Sequence, residues 1–315
     1  MTPILTYSED GELACELVAA AREISPSAEV AAVVLGDGDV SSLSESGCDV
    51  VCRVAGAAPV PEVAASAVAE VARQRATRMV LVGSTKDGKE VAGRLSVLLG
   101  CPAATECSRV GLESGRLRVE RMAFGGRVST VASMPGDSFV VALRPRAYAR
   151  LGGAAKAGVT EVVVPAARQS VSVESVAGQP PSALDLTRAD RIVSVGRGLK
   201  KKEDLELIRS LAGAMDASIG CSRPLSADLG WLGEESHIGL TGIQVKPKLY
   251  LAVGISGQLQ HLAGIRDAGV VVAINNDKTA PIFSSCDYGV VGDLYQVVPE
   301  LVAQLSAAKG REKGY

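Results

Sequence analysis

Hydrophobic positions recur in two rhythms along the chain, and both are rhythms of α/β structure. In the first half, short apolar runs alternate with amphipathic stretches. Residues 4–7, 30–35, 50–54 and 79–82 read as strands. Residues 12–24 put Leu13, Leu17, Ala20, Ala21 and Ile24 on one helical face; 62–73 form an Ala-rich helix; and 86–99 form a helix carrying Val91, Leu95, Leu98 and Leu99. Strand, helix, strand in this order predicts a parallel sheet. From Cys101 to about Pro145 the rhythm changes. Residues 117–122, 129–133 and 139–143 are strand-like with no long helix between them, which predicts an antiparallel extension of the first sheet.

The second half carries five Val- and Ile-rich runs, each ending in a turn signal. Residues 191–196 lead into Arg197-Gly198, 217–222 into Arg223-Pro224, 249–254 into Ser256-Gly257, 270–274 into Asn275-Asn276-Asp277, and 288–292 into Asp293. Such runs are buried parallel strands, whose carboxyl ends face one crevice where ligands bind. That edge collects Gly, Ser, Arg, Asn and Asp, a set suited to a large phosphorylated cofactor. The expected fold is therefore α/β with two domains. Each is a mainly parallel sheet flanked by helices, of Rossmann-like or flavodoxin-like type, and the first has the antiparallel extension. The expected boundaries are 1–170, a linker over 171–189 containing Gly178-Gln179-Pro180-Pro181, and 190–315, with fraying from Lys309 onward.

Composition narrows the function. The 315 residues suffice for two domains, and with 47% apolar but 3% aromatic residues the core is built from Ala, Val, Leu and Ile. A net charge of −2 gives no electrostatic case for nucleic acid or an anionic membrane. The apolar runs fall short of the roughly 20 residues of a membrane span, and the N-terminal residues lack a signal-peptide pattern, so a cytoplasmic protein is expected. The seven cysteines include no CxxC pair, and Cys48/Cys52 and Cys101/Cys107 lack the usual spacing of a zinc or iron–sulfur site. Reduced structural thiols are expected, with a redox-sensitive pair or adventitious metal as the alternative.

No GxGxxG follows a strand in the first half; Gly36-Asp37-Gly38 lacks the third glycine and the helix. In the second half, residues 256–268 read as a helix capped by Ser256. Leu259, Leu262, Ala263 and Ile265 form its expected sheet side, while Gly257, Gln260, His261 and Gly264 face away from the core. A solvated surface histidine is the plainer reading of His261. Arg197, between two glycines, and Arg223, expected outside the α region because Pro224 follows, suit either phosphate binding or surface salt bridges. Residues 238–242 form a glycine loop offering the Thr241 hydroxyl.

Together, the segments 196–200, 220–224, 238–242, 253–264, 273–277, 280–283 and 288–293 resemble, in colinear order, the FAD domain of the electron-transfer flavoprotein alpha subunit. The run Val253-Gly-Ile-Ser-Gly-Gln-Leu-Gln-His-Leu-Ala-Gly264 is the most specific. The first domain matches more loosely, through its opening strand–helix and Arg121-Met-Ala-Phe-Gly-Gly126. The resemblance implies FAD held mainly on the second domain and a heterodimer with a beta subunit, shuttling electrons between dehydrogenases, such as acyl-CoA dehydrogenases, and an acceptor. It implies that Arg197, Ser222, Ser256 and Gly257 hold the FAD backbone and phosphates. Arg223 then lies beside the isoalloxazine, Thr241 near flavin N5 and His261 at the O2 side, with Asn275, Asp293 and Leu294 along the adenosine. Ile238, Gly239, Leu240, Gln258, Leu259 and Gln260 complete the lining. A reduced flavin gains negative charge around N1 and O2, and a cation at ~4 Å with an effective dielectric of ~20 offers a gross ~4 kcal/mol. Leu240 stands where many relatives have glutamine, and residues 225–231 are slightly longer than in the mitochondrial-type proteins; both bear on the reduction potential. Other readings are an electron-bifurcating, NADH-oxidising complex, an NAD-dependent enzyme using His261, and a nucleotide-binding regulatory protein.

Overall fold

A computed structural model describes residues 2–56, 60–113, 116–123, 128–152, 156–165, 170–171, 173–174 and 186–312. The chain divides into two compact units, 1–176 and 177–315. In the first, β1 (Ile4–Tyr7), α1 (Gly11–Ile24), β2 (Val30–Leu35), α2 (Ser41–Ser44), β3 (Val50–Val54), α3 (Pro61–Gln74), β4 (Met79–Gly83) and α4 (Lys86–Leu99) follow the strand–helix rhythm of the sequence. Asp10 caps α1 by accepting from the N–H groups of Glu12 and Leu13, and Thr85 caps α4 through Gly88. Then come β5 (Ala103–Glu113), β6 (Arg116–Ala123), β7 (Val128–Met134), β8 (Phe139–Leu143) and β9 (Gly158–Glu161). They build a nine-stranded sheet in the order β7-β6-β5-β8-β4-β1-β2-β3-β9. One face packs on α1, the other on α3 and α4.

The antiparallel extension is β5, β6 and β7, so two of the three expected runs, 117–122 and 129–133, belong to it. Residues 139–143 lie instead between β4 and β5, parallel to both. All five are buried, as a continuous apolar run on both faces requires, whereas β6 alternates at its start. Strand β5, with its polar Thr-Glu-Cys-Ser and a register shift, and the wholly exposed β9 carry no strand signal that periodicity detects. Phe124–Gly126 and most of the linker lie outside the described residues.

In the second unit, β10 (Arg191–Val195), α5 (Leu205–Met215), β11 (Ser218–Cys221), β12 (Leu249–Val253), α6 (Leu259–Ile265), β13 (Val270–Asn275), β14 (Tyr288–Val291) and α7 (Leu294–Glu312) build an all-parallel sheet, β11-β10-β12-β13-β14. α5 and α7 cover one face; α6 and the segments around Ile238 and Ile282 cover the other. The α7 backbone is helical to Glu312.

The seven thiols are free and six are buried. Burial pushes Cys107 up to about 12 and Cys221 up to about 11, which keeps both protonated and unreactive. Among the described residues, no helix is long and apolar enough to cross a membrane.

Candidate functional site

The second sheet has one topological switch point. From β10 the chain crosses to β11 on one side and then returns to β12 on the other. The loops leaving β10 and β12 therefore diverge, and a crevice opens outside their carboxyl ends. Its floor is backbone packed on backbone. Gly196 N–H donates to Val253 O and Gly198 N–H to Gly254 O, both at 3.0 Å. A Cβ on Gly196 would sit 2.4 Å from Gly254 O, and one on Gly198 2.6 Å from Gly254 Cα. Leu294, buried, closes the floor beside them. Gly257 has φ +81°, and a Cβ there would meet Ile282 N at 2.4 Å, where Ile282 N–H donates to Ser256 O at 3.0 Å. Asn275 straps the same loop, its Nδ2 donating to Ile255 O at 2.9 Å while its Oδ1 accepts from Asp277 N–H at 3.0 Å.

Around this floor stand exposed polar groups: Arg197, Arg223, Thr241, Ser256, Gln258, Gln260 and Asp293, with Ser222 half-buried. Asp293 Oδ1 also accepts from Tyr295 N–H at 2.9 Å at the start of α7. Arg197 and Arg223 form no salt bridge among the described residues, so the surface-salt-bridge reading of both loses its partner. Arg223 is in the α region (φ −46°, ψ −42°), contrary to the expectation from Pro224. The wide π turn over Pro224–Asp228, closed by Leu229 N–H to Pro224 O at 3.0 Å and anchored by fully buried Leu225, overrides the local clash.

The loop 238–242 closes the crevice on the α6 side. Ile238 N–H donates to Cys221 O at 2.9 Å, Ile243 N–H to His237 O at 2.8 Å and Leu240 N–H to Gln260 O at 2.7 Å, which leaves Leu240 and Thr241 exposed at the tip. His237, which the sequence reading passed over, packs under Gly242, where a Cβ would lie 2.7 Å from its Nδ1. Burial, then the Arg223 charge, hold the His237 ring below its usual value, with Glu234 opposing. Its position directly before the Ile238-Gly239 loop was the available signal.

α6 differs from its expectation. Gly257 with positive φ and extended Gln258 delay the helix to Leu259, so Ser256 is not its cap. The buried stripe is His261, Gly264 and Ile265, an i, i+3, i+4 set, while Leu259 is half-exposed. Gly264 lets the helix sit directly on the loop, since a Cβ there would be 2.6 Å from Gly239 N. His261 is accordingly 7% exposed, with its Nε2 2.8 Å from Tyr250 Oη. Burial pulls its pKa down to about 4, so the ring is neutral at pH 7. It is a buried dipolar group, neither the solvated histidine nor a cation. Tyr250 was hidden from the sequence reading inside an apolar run.

The site fits FAD on these observations. A floor without side chains admits a flat, extended ligand and its diphosphate, two uncommitted guanidinium groups match the anionic charge, and buried His261 Nδ1 lacks a hydrogen-bond partner. Relatives agree. Residues 5–167 match the family described as electron transfer flavoprotein domain, and residues 185–266 match the electron transfer flavoprotein FAD-binding domain. The chain is 36% identical over 244 residues to the electron transfer flavoprotein subunit YdiR of Escherichia coli, covering 77% of this chain and 78% of that protein. It is 32% identical over 308 residues to Protein FixB of Salmonella typhimurium, covering 96% and 98%. The chain belongs to the electron transfer flavoprotein family, as an alpha-type subunit bearing its FAD-binding domain.

Proposed function

We propose that this chain holds FAD at the switch-point crevice of its second unit and, paired with a beta subunit, carries electrons between dehydrogenases and a downstream acceptor in the cytoplasm. The observation that carries the reading is the glycine floor of Gly196, Gly198, Gly254 and Gly257 flanked by Arg197 and Arg223, cations without a salt-bridge partner among the described residues. Bound FAD supplies the redox chemistry, and the protein supplies binding, orientation and electrostatics. In this reading Arg197, Ser222, Ser256 and Gly257 hold the diphosphate. Arg223 and Thr241 face the ring, and His261, with Ile238, Gly239, Leu240, Gln258, Leu259 and Gln260 around it, borders its O2 side. Asn275, Asp293 and Leu294 border the adenosine. A cation beside the ring favours the electron-rich form, so Arg223 adds affinity and also tunes the potential, while Arg197 contributes affinity alone.

Co-expression with the beta subunit tests this. The expected product is a stable 1:1 complex with flavin bands in the visible, reducible by a dehydrogenase with its substrate. Reduction by NADH through a second flavin on the partner would move the assignment to the bifurcating class. A colourless protein that takes up only a nucleotide, or a flavin-saturated monodisperse monomer of this chain alone, would overturn it.

A further inference from the structure

Tyr250 and His261 form a buried polar pair that the FAD-holding reading leaves unexplained. Tyr250 is the second residue of β12 and is fully buried among aliphatic side chains. Its Oη is 2.8 Å from His261 Nε2, with the rings 6.2 Å apart and tilted by 53°. Fully buried Ser194 sits beside the same hydroxyl without hydrogen-bond geometry. Burial keeps the phenol protonated, so it needs an acceptor, and among the described residues its hydrogen-bond partner is Nε2. A ring nitrogen that accepts carries no proton. A neutral imidazole then holds its proton on Nδ1. Nδ1 is buried and has no hydrogen-bond partner among the described residues. Ile238 begins the loop that carries Leu240 and Thr241. That loop is stitched to α6 by Leu240 N–H to Gln260 O at 2.7 Å, Val245 N–H to Gly264 O at 2.8 Å and the close contact of Gly239 with Gly264.

We propose that Tyr250 is a positioning residue. By donating to Nε2 it fixes His261 as the neutral Nδ1–H tautomer and holds the ring in the α6 stripe that packs on the 238–242 loop, keeping that loop in the shape that receives the flavin. The final link, to cofactor retention, rests on the proposed placement of the flavin at this crevice; the tautomer does not. A phenol in this role is suited to a buried site because it brings a directional donor without a charge.

The chain has two histidines, so ¹⁵N-imidazole NMR of the full-length, cofactor-free chain reads both directly. The expected result is a His261 ring with protonated Nδ1 and bare Nε2, unchanged from pH 5.5 to 9. In Tyr250→Phe the ring should lose this single-tautomer signature while the His237 signals stay in place. In complex with the beta subunit, FAD binding by that variant should weaken about fivefold, the equivalent of one ordinary hydrogen bond. A parent ring protonated on Nε2 would overturn the proposal even if the variant did not fold. A changed tautomer with unaltered FAD affinity would overturn the positioning role. Arg223→Ala separates the two readings. If it weakens FAD and Tyr250→Phe does not, the flavin placement stands and the positioning role fails. If neither variant weakens FAD, the placement itself is wrong.

Discussion

The two units use the same sheet logic and finish it in opposite ways. Each has a parallel core with one switch point: between β1 and β4 in the first, between β10 and β12 in the second. In the first, the crevice at the strand ends is filled by the protein's own side chains. Thr85 hydrogen-bonds Glu9, the buried Ser84 hydroxyl meets Glu106, and the Glu106 carboxylate faces Lys89 at 2.9 Å and Arg144 at 3.8 Å. Glu106 itself sits in the left-handed region at φ +58°. In the second, glycines clear the floor and the neighbouring arginines have no salt-bridge partner among the described residues. The difference teaches that topology supplies a crevice and loop chemistry decides whether it is a site. One crevice neutralises its own charges; the other leaves cations and bare backbone for a ligand.

The largest test of this contrast substitutes one glycine in each unit. Gly257→Ala must place a Cβ 2.4 Å from Ile282 N at φ +81°. Left-handed strain and overpacking together cost about 2–5 kcal/mol, and FAD retention should be lost. Gly100→Ala, at φ +62° with nothing within 4 Å, carries the backbone strain alone, about 1–2 kcal/mol, and should leave FAD bound. Denaturant unfolding and flavin absorbance measure both. Equal losses in the two variants would erase the distinction.

Much of this arrangement is legible in the sequence, and the reason is physical. Continuous Val and Ile runs favour buried strands, so β10 to β13 and the crevice at their ends follow from pattern; β14 is a strand as expected, but an edge strand with all four residues exposed rather than buried. The glycines in Gly196-Arg-Gly198 and Gly254-Ile-Ser-Gly257 mark the close approach. Hidden from it were groups whose partners come from distant segments. His261 looks solvent-facing on an isolated wheel because Leu259, Leu262 and Ala263 outrank it in hydropathy. Its burial depends on Tyr250, 11 residues earlier on another element. Glu106 was invisible for the same reason, since its cations come from α4 and from the residue after β8.

The second test is pH. Both histidines lie in the second unit. The folded-state pKa of His261, about 4, is below its unfolded value of about 6.5, so the unfolded chain binds the extra proton. Its stability penalty is absent above pH 6.5 and grows as pH falls toward 4, reaching roughly 3 kcal/mol. Burial depresses His237 too, with the same sign. Asp39 in the first unit, held at about 2 by the Ser41 and Ser42 hydroxyls, loses its contribution only below pH 3.8. Hydrogen exchange between pH 7 and 4.5 should therefore loosen the second unit first. His261→Gln should flatten that dependence.

Charge deletion comes third. Arg223 is exposed and has no salt-bridge partner among the described residues, so Arg223→Ala should leave the melting temperature of the cofactor-free chain nearly unchanged. Loss of a charged contact of about 1–3 kcal/mol should weaken FAD and lower its first reduction potential by ~40–130 mV. An unchanged potentiometric titration with FAD bound would take Arg223 out of the site.

The smallest effect belongs to the closed crevice. In Glu106→Gln the carboxylate facing Lys89 and Arg144 loses its charge while the side-chain shape stays. Lys89 and Glu106 are 45% and 30% exposed, so solvent screens the pair, and its removal should cost less than about 1 kcal/mol. Its informative consequence is electrostatic. Lys89 and Arg144 would then face a neutral amide in a crevice that has the same switch-point position as the proposed FAD site. Calorimetry with inorganic phosphate compares the variant and its parent. No heat in either would show that cations at a strand-end crevice are insufficient without a glycine floor, because the Ser8 side chain still blocks the approach at Gly83, where a Cβ would be 2.5 Å from Ser8 Oγ. Phosphate binding by the variant alone would mean that charge neutralisation, not the backbone floor, is what separates the two crevices, and the comparison between the units would have to be redrawn around Glu106.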